Sequence, residues 1–432
     1  MLDIRLIRQH AARVQEASRQ KGYTVDISAL LSLDDERRAV MIQVETMRQQ
    51  RNQIAAQMKN GKPEAALIET SKHIKAALAG YETRLEQLEL ACEALHKQVP
   101  NLPLDDVPIG ASEHENVVVR LVGEPTQFDF EAKNHWQLAE ARGWIDKERA
   151  SKVAGSRFAY LKGELVLLQF AIIQYVLNTL GDETVIKRIV DAAGLDVSTK
   201  PFIPVLPPLM IRTALYDAMD RLEPRDDRYK IEGEELWLQG SAEHVLGSMH
   251  ANEIFDEAAL PVRYIGYASS FRKEAGTYGR DMEGIIRMHQ FDKLEMESFS
   301  TQESGKSEHL LFAAIQEYLL QQLVLPYRVL LKCTADIGKP NARGVDIETW
   351  LPGQNQYRET HTADYMTDYQ ARRLKTRVRR AGGEVELIHT NDATAFALGR
   401  IMVALLENHQ TSSGQVRVPA VLQPYLGGRT LL

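Results

Sequence analysis

The sequence has little cysteine, no excess of positive charge and no long hydrophobic run. Its 432 residues include 2 cysteines, Cys92 and Cys333, which excludes a disulfide scaffold or a cysteine-based metal site and is typical of a reducing compartment. Lys and Arg number 52 against 59 Asp and Glu, so the net charge of −7 excludes a globally basic nucleic-acid-binding protein. An RNA partner would therefore have to contact locally concentrated basic residues.

The most apolar stretch is too short to cross a membrane. It reads LVLLQFAIIQYVLNTL at residues 165–180 and is interrupted by Gln and Asn, whereas a membrane span needs about 20 apolar residues. We interpret it as a buried helix. The N-terminal MLDIRLIRQH has no apolar core of the kind found in secretory signals. We expect a cytoplasmic protein of two to three domains that is not bound to a membrane.

Residues 30–100 contain almost no proline or glycine and carry apolar residues at heptad spacing. From Ile74 to Val99 the intervals are 4-3-4-3-4-3-4, and Val40 to Met58 follow the same spacing except that Arg51 takes one position. Between the two runs, KNGKPE reads as a helix stop, a turn and a helix start. The pattern predicts a long antiparallel helical hairpin whose helices are about 45 Å long.

Three functions fit such a hairpin: dimerisation, a packed helical domain or RNA binding. Residues 31–100 hold ten Lys/Arg and ten Asp/Glu, so bulk charge would not attract RNA. RNA binding would instead require a few placed basic residues, for which the candidates are Arg48, Arg51, Lys59, Lys62 and Lys75.

The pattern changes after a proline-containing linker, PNLPLDDVPIGASEHENV. From about residue 120, β-type runs such as VVVRLVG, RYIGYASSFR and RVLLKC alternate with helical stretches at 165–180 and 308–322. This alternation predicts one α+β domain. Residues 372–380, RRLKTRVRR, hold six basic residues in nine, and we interpret them as a solvated charged strand.

The segment 271–297, FRKEAGTYGRDMEGIIRMHQFDKLEME, is the densest in chemically active residues. Two β-like runs flank a loop that contains Gly276, Gly279 and Gly284. On strands, Arg272 and Glu274 would share one face, as would Arg287, His289 and Phe291. The guanidinium group of arginine binds phosphate through two parallel hydrogen bonds, and an aromatic ring can stack on a base. The residues alone leave open a nucleotide site or a surface hairpin with cross-strand ion pairs.

This segment resembles motif 2 of the class II aminoacyl-tRNA synthetases, and the string FR-EAG--GRD--G-IR-HQF-K-EM is similar to seryl-tRNA synthetases in particular. KPFIPVLPP at 200–208 resembles motif 1, with Pro201 in place of the usual glycine. LGRIMVALLENHQTSSGQVRVPAVLQPYLGG at 398–428 resembles motif 3 and the C-terminal tail. Further similarity lies in MLDIRLIR, the hairpin, PNLP, GSAEHVLGSMHANEI, DIETWLPGQNQYRET and TDYQARR, and thus covers nearly the whole chain.

Two segments depart from the family pattern close to the expected amino-acid pocket. After Glu359, the usual Ser-Ser-Cys-Ser-Asn is replaced by residues 361–365, HTADY. Before motif 3, Leu-Asn-Gly-Ser is replaced by residues 391–394, NDAT, in which Thr394 keeps a hydroxyl. The stretch 182–203 is also longer than usual. These departures bear on side-chain specificity and leave the ATP motifs untouched.

The resemblance implies an α+β fold: an N-terminal antiparallel coiled-coil hairpin, and a class II antiparallel β-sheet core flanked by helices. It implies a tRNA-binding domain at 1–104 with the hairpin at about 30–99, a linker at 105–120 and a catalytic domain at 121–432. The implied partners are L-serine, tRNA(Ser) contacted by the hairpin, and a second copy of the chain joined through motif 1. The implied cofactors are ATP and Mg²⁺, without zinc.

The implied reaction joins serine to tRNA through a seryl-adenylate. Arg272 would hold the α-phosphate, Arg400 the γ-phosphate, and Glu359 the Mg²⁺ that bridges the phosphates. Glu274 would contact adenine and Phe291 would stack on it. The full implied ATP site comprises Arg272, Lys273, Glu274, Phe291, Glu359, Thr360, His361, Thr362 and Arg400. The implied serine site comprises Ser241, Ala242, Glu243, Arg272, Glu295 and Thr394.

Other classes of protein also share some of these sequence features. A paralogue could activate another amino acid or serve a non-tRNA acceptor such as a carrier protein, although carrier-protein ligases of this type lack the hairpin. A non-catalytic paralogue should have lost Arg272, Glu274 or Arg400, and all three are present. A coiled-coil scaffold would not need the nucleotide motifs. For Glu243 the alternative is an exposed carboxylate at a helix start, and for Lys273 and Arg280 it is simple surface charge.

Overall fold

The computed structural model describes residues 1–59, 64–275 and 284–432. Within it the chain divides into two compact units, Met1–Leu102 and Pro103–Leu432. The first unit is helical. Its helices are α1 (Ile4–Gln9), α2 (Ala11–Gln20), α3 (Ile27–Met58) and α4 (Ala65–His96).

Helices α3 and α4 form the long antiparallel hairpin that the heptad spacing predicts. Asp26 caps α3 by accepting a hydrogen bond from the Ala29 amide at 2.8 Å. Val44, Leu78 and Leu88 are buried along the shared seam. Ion pairs cross from one helix to the other, such as Arg48–Glu82 at 2.7 Å. The predicted turn at residues 60–63 lies outside the described residues.

The second unit combines short helices with a large sheet. Its helices are α5 (His135–Arg142), α6 (Lys147–Ala154), α7 (Glu164–Leu180), α8 (Glu183–Ala193), α9 (Thr213–Ala218), α10 (Glu243–Leu246), α11 (Gly305–Gln322), α12 (Tyr369–Leu374) and α13 (Leu398–Asn408). Its strands are β1 (Val117–Val122), β2 (Ile145–Asp146), β3 (Tyr160–Leu161), β4 (Ile203–Val205), β5 (Met210–Arg212), β6 (Leu236–Leu238), β7 (Ile254–Asp256), β8 (Val262–Phe271), β9 (Gln290–Ser300), β10 (Tyr327–Leu331), β11 (Arg343–Leu351), β12 (Gln356–Thr367), β13 (Arg377–Arg379), β14 (Val385–Leu387) and β15 (His389–Ala397). Strand β1 begins within the predicted linker.

An eight-stranded sheet organises this unit in the order β1-β10-β11-β12-β15-β9-β8-β4. Neighbouring strands are antiparallel except β4 and β8, which are parallel. One face of the sheet is apolar, with Leu294, Met296 and Ala363 in the main core together with residues of α7, α11 and α13. Because side chains alternate along a strand, residues 293, 295 and 297 of β9 point to the other face. That other face carries the candidate site.

The apolar stretch at 165–180 forms α7, with Leu165, Leu168 and Ile172 buried in the core. The stretch 182–203 contains α8 in its first half, and Asp182 caps this helix by accepting a 2.8 Å hydrogen bond from the Thr184 amide. Among the described residues, no single helix is long and apolar enough to cross a membrane, and α7 with α8 reach that length only as a pair bent by 76°.

The basic segment 372–380 is not a solvated strand, so that prediction is wrong. It begins in α12, and only Arg377–Arg379 are extended, as β13. Arg373 is nearly buried and pairs with Asp217 at 2.7 Å. Arg380 pairs with Glu257, Glu303 and Glu386. Acidic partners from distant segments neutralise these arginines, and a local charge run cannot reveal such partners.

Candidate active site

Two adjoining cavities open on the polar face of the sheet. Their volumes are about 660 Å³ and about 110 Å³. Arg287, Glu359, Thr360 and Arg400 line both cavities. The smaller cavity is also lined by Arg272, Glu274, Phe291, Lys293, Thr362 and Thr394. Residues that are far apart in sequence thus converge on one cleft.

Arg272 lies just beyond the end of β8, at the mouth of the smaller cavity. Its side-chain Nε donates to the Gly240 carbonyl at 2.9 Å, and its guanidinium lies 5.6 Å from the centre of the Phe291 ring. Glu274 pairs with Arg287 at 2.5 Å. Arg272, Glu274 and Phe291 therefore surround a space in which a planar base and a phosphate could be held together.

The prediction that Arg272 and Glu274 lie on a strand is wrong, as is the same prediction for Arg287 and His289. Strand β8 ends at Phe271 and β9 begins at Gln290. At Glu274 the backbone has φ of 52°, a left-handed conformation that a strand cannot contain. The Arg272 amide still donates to the His289 carbonyl at 3.0 Å, which keeps the two segments adjacent. Gly276, Gly279 and Arg280 lie outside the described residues.

Glu359 and Arg400 line both cavities, where they form an ion pair. Arg400 Nη1 lies 2.8 Å from Glu359 Oε1 and donates to the Glu359 carbonyl at 3.1 Å. The Glu359 side chain is 50% exposed, so a cation or a phosphate can reach this pair. Arg400 is the third residue of α13, and the start of a helix favours an anion.

A β-bulge decides which side chains of β12 face the cleft. Glu348 pairs with Glu359 and Ile347 pairs with His361, which leaves Thr360 as the additional residue. Glu359, Thr360 and Thr362 consequently line the smaller cavity. His361 points into the core instead, with its ring 5.4 Å from that of Phe396. The structure does not bring His361 together with the other residues of the implied ATP site.

Lys273 also lies apart from the two cavities. Its ammonium is 5.5 Å from the centre of the Tyr229 ring. Its amide donates to the Asp227 carbonyl at 3.0 Å. Lys273 thus contacts the segment after α9 rather than the space between Arg272 and Arg400.

A buried group of charged residues closes the inner end of the cleft. Lys293 donates to Ser241 Oγ at 2.9 Å, pairs with Glu295 and lies 3.8 Å from Glu243 Oε2. Ser241 donates to Glu295 at 3.3 Å. Glu243 begins α10 and is 8% exposed, so the alternative of an exposed helix-start carboxylate is wrong. Ala242 packs its side chain in an apolar cluster.

The two buried glutamates differ in ionisation. Burial raises the pKa of Glu295 to about 8, although Lys293 pulls it down. Burial also acts to raise the pKa of Glu243, but Lys293, His244 and Arg221 outweigh burial and hold it below its usual range. One carboxyl is thus firmly anionic while the other titrates near neutral pH. Such a pair suits a substrate that brings an ammonium and a hydroxyl.

The departures at 391–394 divide between the two faces of β15. Thr394 lies opposite Glu295 and lines the smaller cavity. Ala393 points into the core, so of these two substitutions only Thr394 bears on the pocket. Asp392 pairs with the guanidinium of Arg221 at 3.0 Å.

Sequence reasoning did not assign a role to Lys293 or Arg221. A signal for Lys293 exists, because residues 293, 295 and 297 alternate with apolar positions and so share the polar face. Arg221 has no local signal, since it meets Asp392 across 171 residues.

The predicted RNA-contacting residues lie on the hairpin. Arg48 is held by Glu82, and Arg51 donates to Asn52 at 3.3 Å. Lys59 and Lys75 are exposed. Lys62 lies outside the described residues.

Comparisons with known proteins bear on both units. Residues 1–103 match the family described as "Seryl-tRNA synthetase N-terminal domain", and residues 228–409 match "tRNA synthetase class II core domain (G, H, P, S and T)". The chain is 38% identical over 430 residues to a serine–tRNA ligase of Symbiobacterium thermophilum, covering 98% of each. The chain belongs to the seryl-tRNA synthetase family.

Further relatives support this membership. A serine–tRNA ligase of Deinococcus radiodurans is 39% identical over 439 residues, covering 100% of this chain and 99% of the relative. The crystal structure of seryl-tRNA synthetase from Pyrococcus horikoshii complexed with ATP superposes with a TM-score of 0.87 at 35% identity, covering 100% of this chain and 99% of that one. The predicted family and fold are confirmed, and the chain is a class II aminoacyl-tRNA synthetase, a ligase.

Among the described residues, there is no group of three or more His, Cys, Asp or Glu side chains that could hold a metal ion. Glu359 nevertheless presents an exposed carboxylate to the cleft. Asp346, in the larger cavity, has a buried Oδ1 for which the described part of the chain offers no hydrogen-bond partner. Mg²⁺ prefers carboxylate oxygens, waters and substrate phosphates over a complete protein cage. The residues therefore fit a Mg²⁺ that arrives with a nucleotide.

Proposed function

We propose that this chain activates L-serine with ATP and transfers it to tRNA(Ser). The observation that carries the proposal is the arrangement of the cleft. Arg272 and Arg400 both line the smaller cavity, and the inner end holds a buried, hydroxyl-lined and acidic pocket. A triphosphate fits between the arginines, and a small amino acid with a hydroxyl fits the pocket.

The first step is attack of the serine carboxylate on the α-phosphorus of ATP, with pyrophosphate as the leaving group. Negative charge accumulates on the phosphoryl oxygens, so catalysis depends on positioning and charge neutralisation. Arg272 binds the α-phosphate, Arg400 binds the γ-phosphate of a bent ATP, and Phe291 stacks on adenine beside Glu274. Glu359 would hold the Mg²⁺, which neutralises phosphate charge when bound. No general base is required, because the attacking carboxylate is already ionised.

The pocket recognises serine through its two polar groups. Glu243 and Glu295 bind the ammonium and the hydroxyl, and Thr394 adds a second polar contact. A pocket that hydrogen-bonds the substrate hydroxyl rejects alanine strongly, because alanine would leave buried polar groups unpaired.

The decisive experiment is ATP–pyrophosphate exchange measured with each of the twenty amino acids, followed by charging of tRNA(Ser). We expect exchange with serine and charging of tRNA(Ser), and tRNA(Sec) belongs in the same assay as a second acceptor. Preference for another amino acid would favour the alternative of a paralogue with altered specificity, which the departures at 391–394 motivate. Exchange without charging would favour a non-tRNA acceptor.

The hairpin α3–α4 is the proposed tRNA reader, and residues 1–104 are the proposed tRNA-binding domain, followed by a linker to 120 and the catalytic domain. The exposed Lys59 and Lys75 support this assignment. Replacing residues 32–98 by a short turn should spare serine activation and abolish tRNA charging. Charging that persists with an unchanged KM for tRNA would exclude this role. A tRNA substrate is consistent with a cytoplasmic enzyme.

We also propose a homodimer formed through the motif 1 region. This region exposes an unusual amount of apolar surface, with Leu206 80% exposed and Ile203, Leu209 and Met210 also open to solvent. Contiguous exposed apolar residues are typical of an interaction surface. Sedimentation should show a dimer, and Leu206→Glu should shift it towards monomer. A monomeric wild-type chain would contradict the assignment.

A further inference from the structure

The polar face of the sheet carries two parallel rows of side chains beneath the inner end of the cleft. Strand pairing places Thr394 opposite Glu295, and Asp346 opposite Thr362. The second row lies two residues farther along each strand, where Asp364 is opposite Asp392 and Asp392 is opposite Glu297. Three carboxylates thus lie side by side on adjacent strands. We call Asp364, Asp392 and Glu297 the acidic row.

The acidic row is buried. Asp364 and Asp392 are 7% and 3% exposed, and Glu297 is 0% exposed. Neither carboxylate oxygen of Glu297 has a hydrogen-bond partner within the described residues. Burial raises the pKa of Glu297 well above its usual range, so the charge of the row lies on Asp364 and Asp392, and like charges directly opposite each other on neighbouring strands destabilise a sheet. The row therefore depends strongly on the cation placed against it.

Arg221 is the cation that pairs directly with the row, while Lys293 and Lys332 act on it from farther away. Arg221 follows α9, and its Nη2 lies 3.0 Å from Asp392 and 3.9 Å from Asp364. It also donates to Asn341 at 3.3 Å. Lys293, which compensates the first row, is engaged with Glu295, Glu243 and Ser241.

We propose that Arg221 is a positioning residue of the serine pocket: by neutralising the acidic row, it keeps the neighbouring Glu295 able to bind the substrate as an anion. This inference rests on the proposed function of the pocket. Arg221 acts through Asp392 and Glu295 and is not among the residues that line the two cavities. The ion pair between Arg221 and Asp392 explains why the pocket tolerates an aspartate at position 392.

The titratable groups around Glu295 come from several elements. Lys293 and Glu297 share its strand, and burial raises the pKa of Glu297 so far that its carboxyl stays neutral. Glu243 faces Glu295 from α10 and Asp392 faces it from β15, where Arg221 pairs with Asp392. His244, beside Glu243, is buried and its lowered pKa keeps it neutral. Removing Arg221 leaves negative charge uncompensated in a region of low dielectric, which opposes ionisation of Glu295. Burial raises the pKa of Asp392 to about 7, so Asp392 is charged above that pH, and removing its charge there has the opposite effect.

The ionisation of Glu295 sets the direction in which the KM for serine changes with pH. An ionised Glu295 binds the substrate better, so the KM for serine falls as pH rises through the pKa of Glu295, which lies at about 8. Arg221→Met raises that pKa and moves the fall in KM to higher pH. Asp392→Asn lowers the pKa and moves the fall to lower pH. We expect shifts of about one pH unit, or up to about tenfold in KM at a pH below the transition.

The test is serine-dependent ATP–pyrophosphate exchange from pH 6 to 8.5 for the wild type, Arg221→Met, Asp392→Asn and the double variant. We expect opposite shifts in the single variants, an intermediate profile in the double variant, and an unchanged KM for ATP. The matched control is Arg142→Met, which removes another half-buried arginine, one that donates to the Gly414 and Leu432 carbonyls. Its profile should match the wild type.

The outcomes separate the two proposals. Shifts in the same direction, or profiles identical to the wild type, overturn the role of Arg221 while serine activation stands. Wild-type enzyme without serine-dependent exchange overturns the proposed function, and this inference with it. Should Arg221→Met fail to fold, as judged by its thermal unfolding, Asp392→Asn decides alone: a profile moved to lower pH supports the inference, and any other profile contradicts it.

Discussion

Each end of the cleft contains an ion pair between a basic residue and a glutamate, but the two pairs differ in exposure. At the nucleotide end, Arg400 and Glu359 pair at 2.8 Å with side chains that are 28% and 50% exposed. At the amino-acid end, the paired side chains of Lys293 and Glu295 are 8% and 1% exposed. An exposed ion pair opens at little cost, whereas a buried pair is costly to break. The nucleotide end can exchange its partners for a triphosphate, while the amino-acid end is already assembled.

The largest expected effect comes from breaking the buried ion pair at the amino-acid end of the cleft. Lys293→Met leaves Glu243 and Glu295 without their shared cation, so it should lower the free energy of unfolding by about 3–5 kcal/mol. Arg400→Ala, which breaks the exposed pair, should cost less than about 1 kcal/mol of stability. Urea unfolding of both variants measures the difference. Equal losses would show that the two ends do not differ in this way.

The next effect concerns catalysis at the nucleotide end. Arg272→Ala and Arg400→Ala each remove a phosphate-binding cation and should reduce pyrophosphate exchange by about 10²–10³-fold or more. Arg149→Ala, which removes an exposed arginine paired with Asp146, is the control and should keep full activity. Exchange within about tenfold of wild type in both test variants would refute the assignment of these two arginines.

The two ends also differ in what the sequence could predict. The string around Arg272 and the heptad run in α3–α4 depend on local spacing, and both were identified from the sequence. The extended conformation expected for Arg272 and Glu274 was wrong, because a left-handed turn at Glu274 ends the strand. Spacing along an ideal strand cannot reveal such a turn.

At the amino-acid end, the features that the sequence does not reveal are contacts between distant residues and irregularities in the strands. Arg221 meets Asp392 only after the sheet has formed, and two bulges change which residues face the pocket. One leaves Thr360 as an additional residue and turns His361 inward. The other lies between Thr394 and Phe396. A single irregular residue reverses the alternation of a strand, so a motif of adjacent residues cannot be assigned to one face from sequence alone.

A smaller effect is expected at Thr394. Thr394→Val keeps the shape of the side chain and removes its hydroxyl, so it should weaken serine activation by about 1–3 kcal/mol, the cost of an unpaired buried polar group. Pyrophosphate exchange with serine, threonine, alanine and glycine on both proteins measures this. Wild-type activity with serine in the variant would exclude the contact and leave the family assignment intact.

The smallest effect on ATP binding is expected at His361, which points away from the cleft while its neighbours on β12 face it. Its ring packs against Phe396, and its backbone lies opposite Ile347 in the core, so a nucleotide in the cleft does not reach it. His361→Asn should therefore leave the KM for ATP within about twofold of wild type, while the loss of ring packing lowers the Tm. Glu359→Gln is the matched comparison, since it changes a side chain that does face the cleft and should raise the KM for ATP. If His361→Asn raises this KM as much as Glu359→Gln does, without lowering the Tm, then His361 faces the nucleotide and the bulge at Thr360 does not set the orientation of the strand.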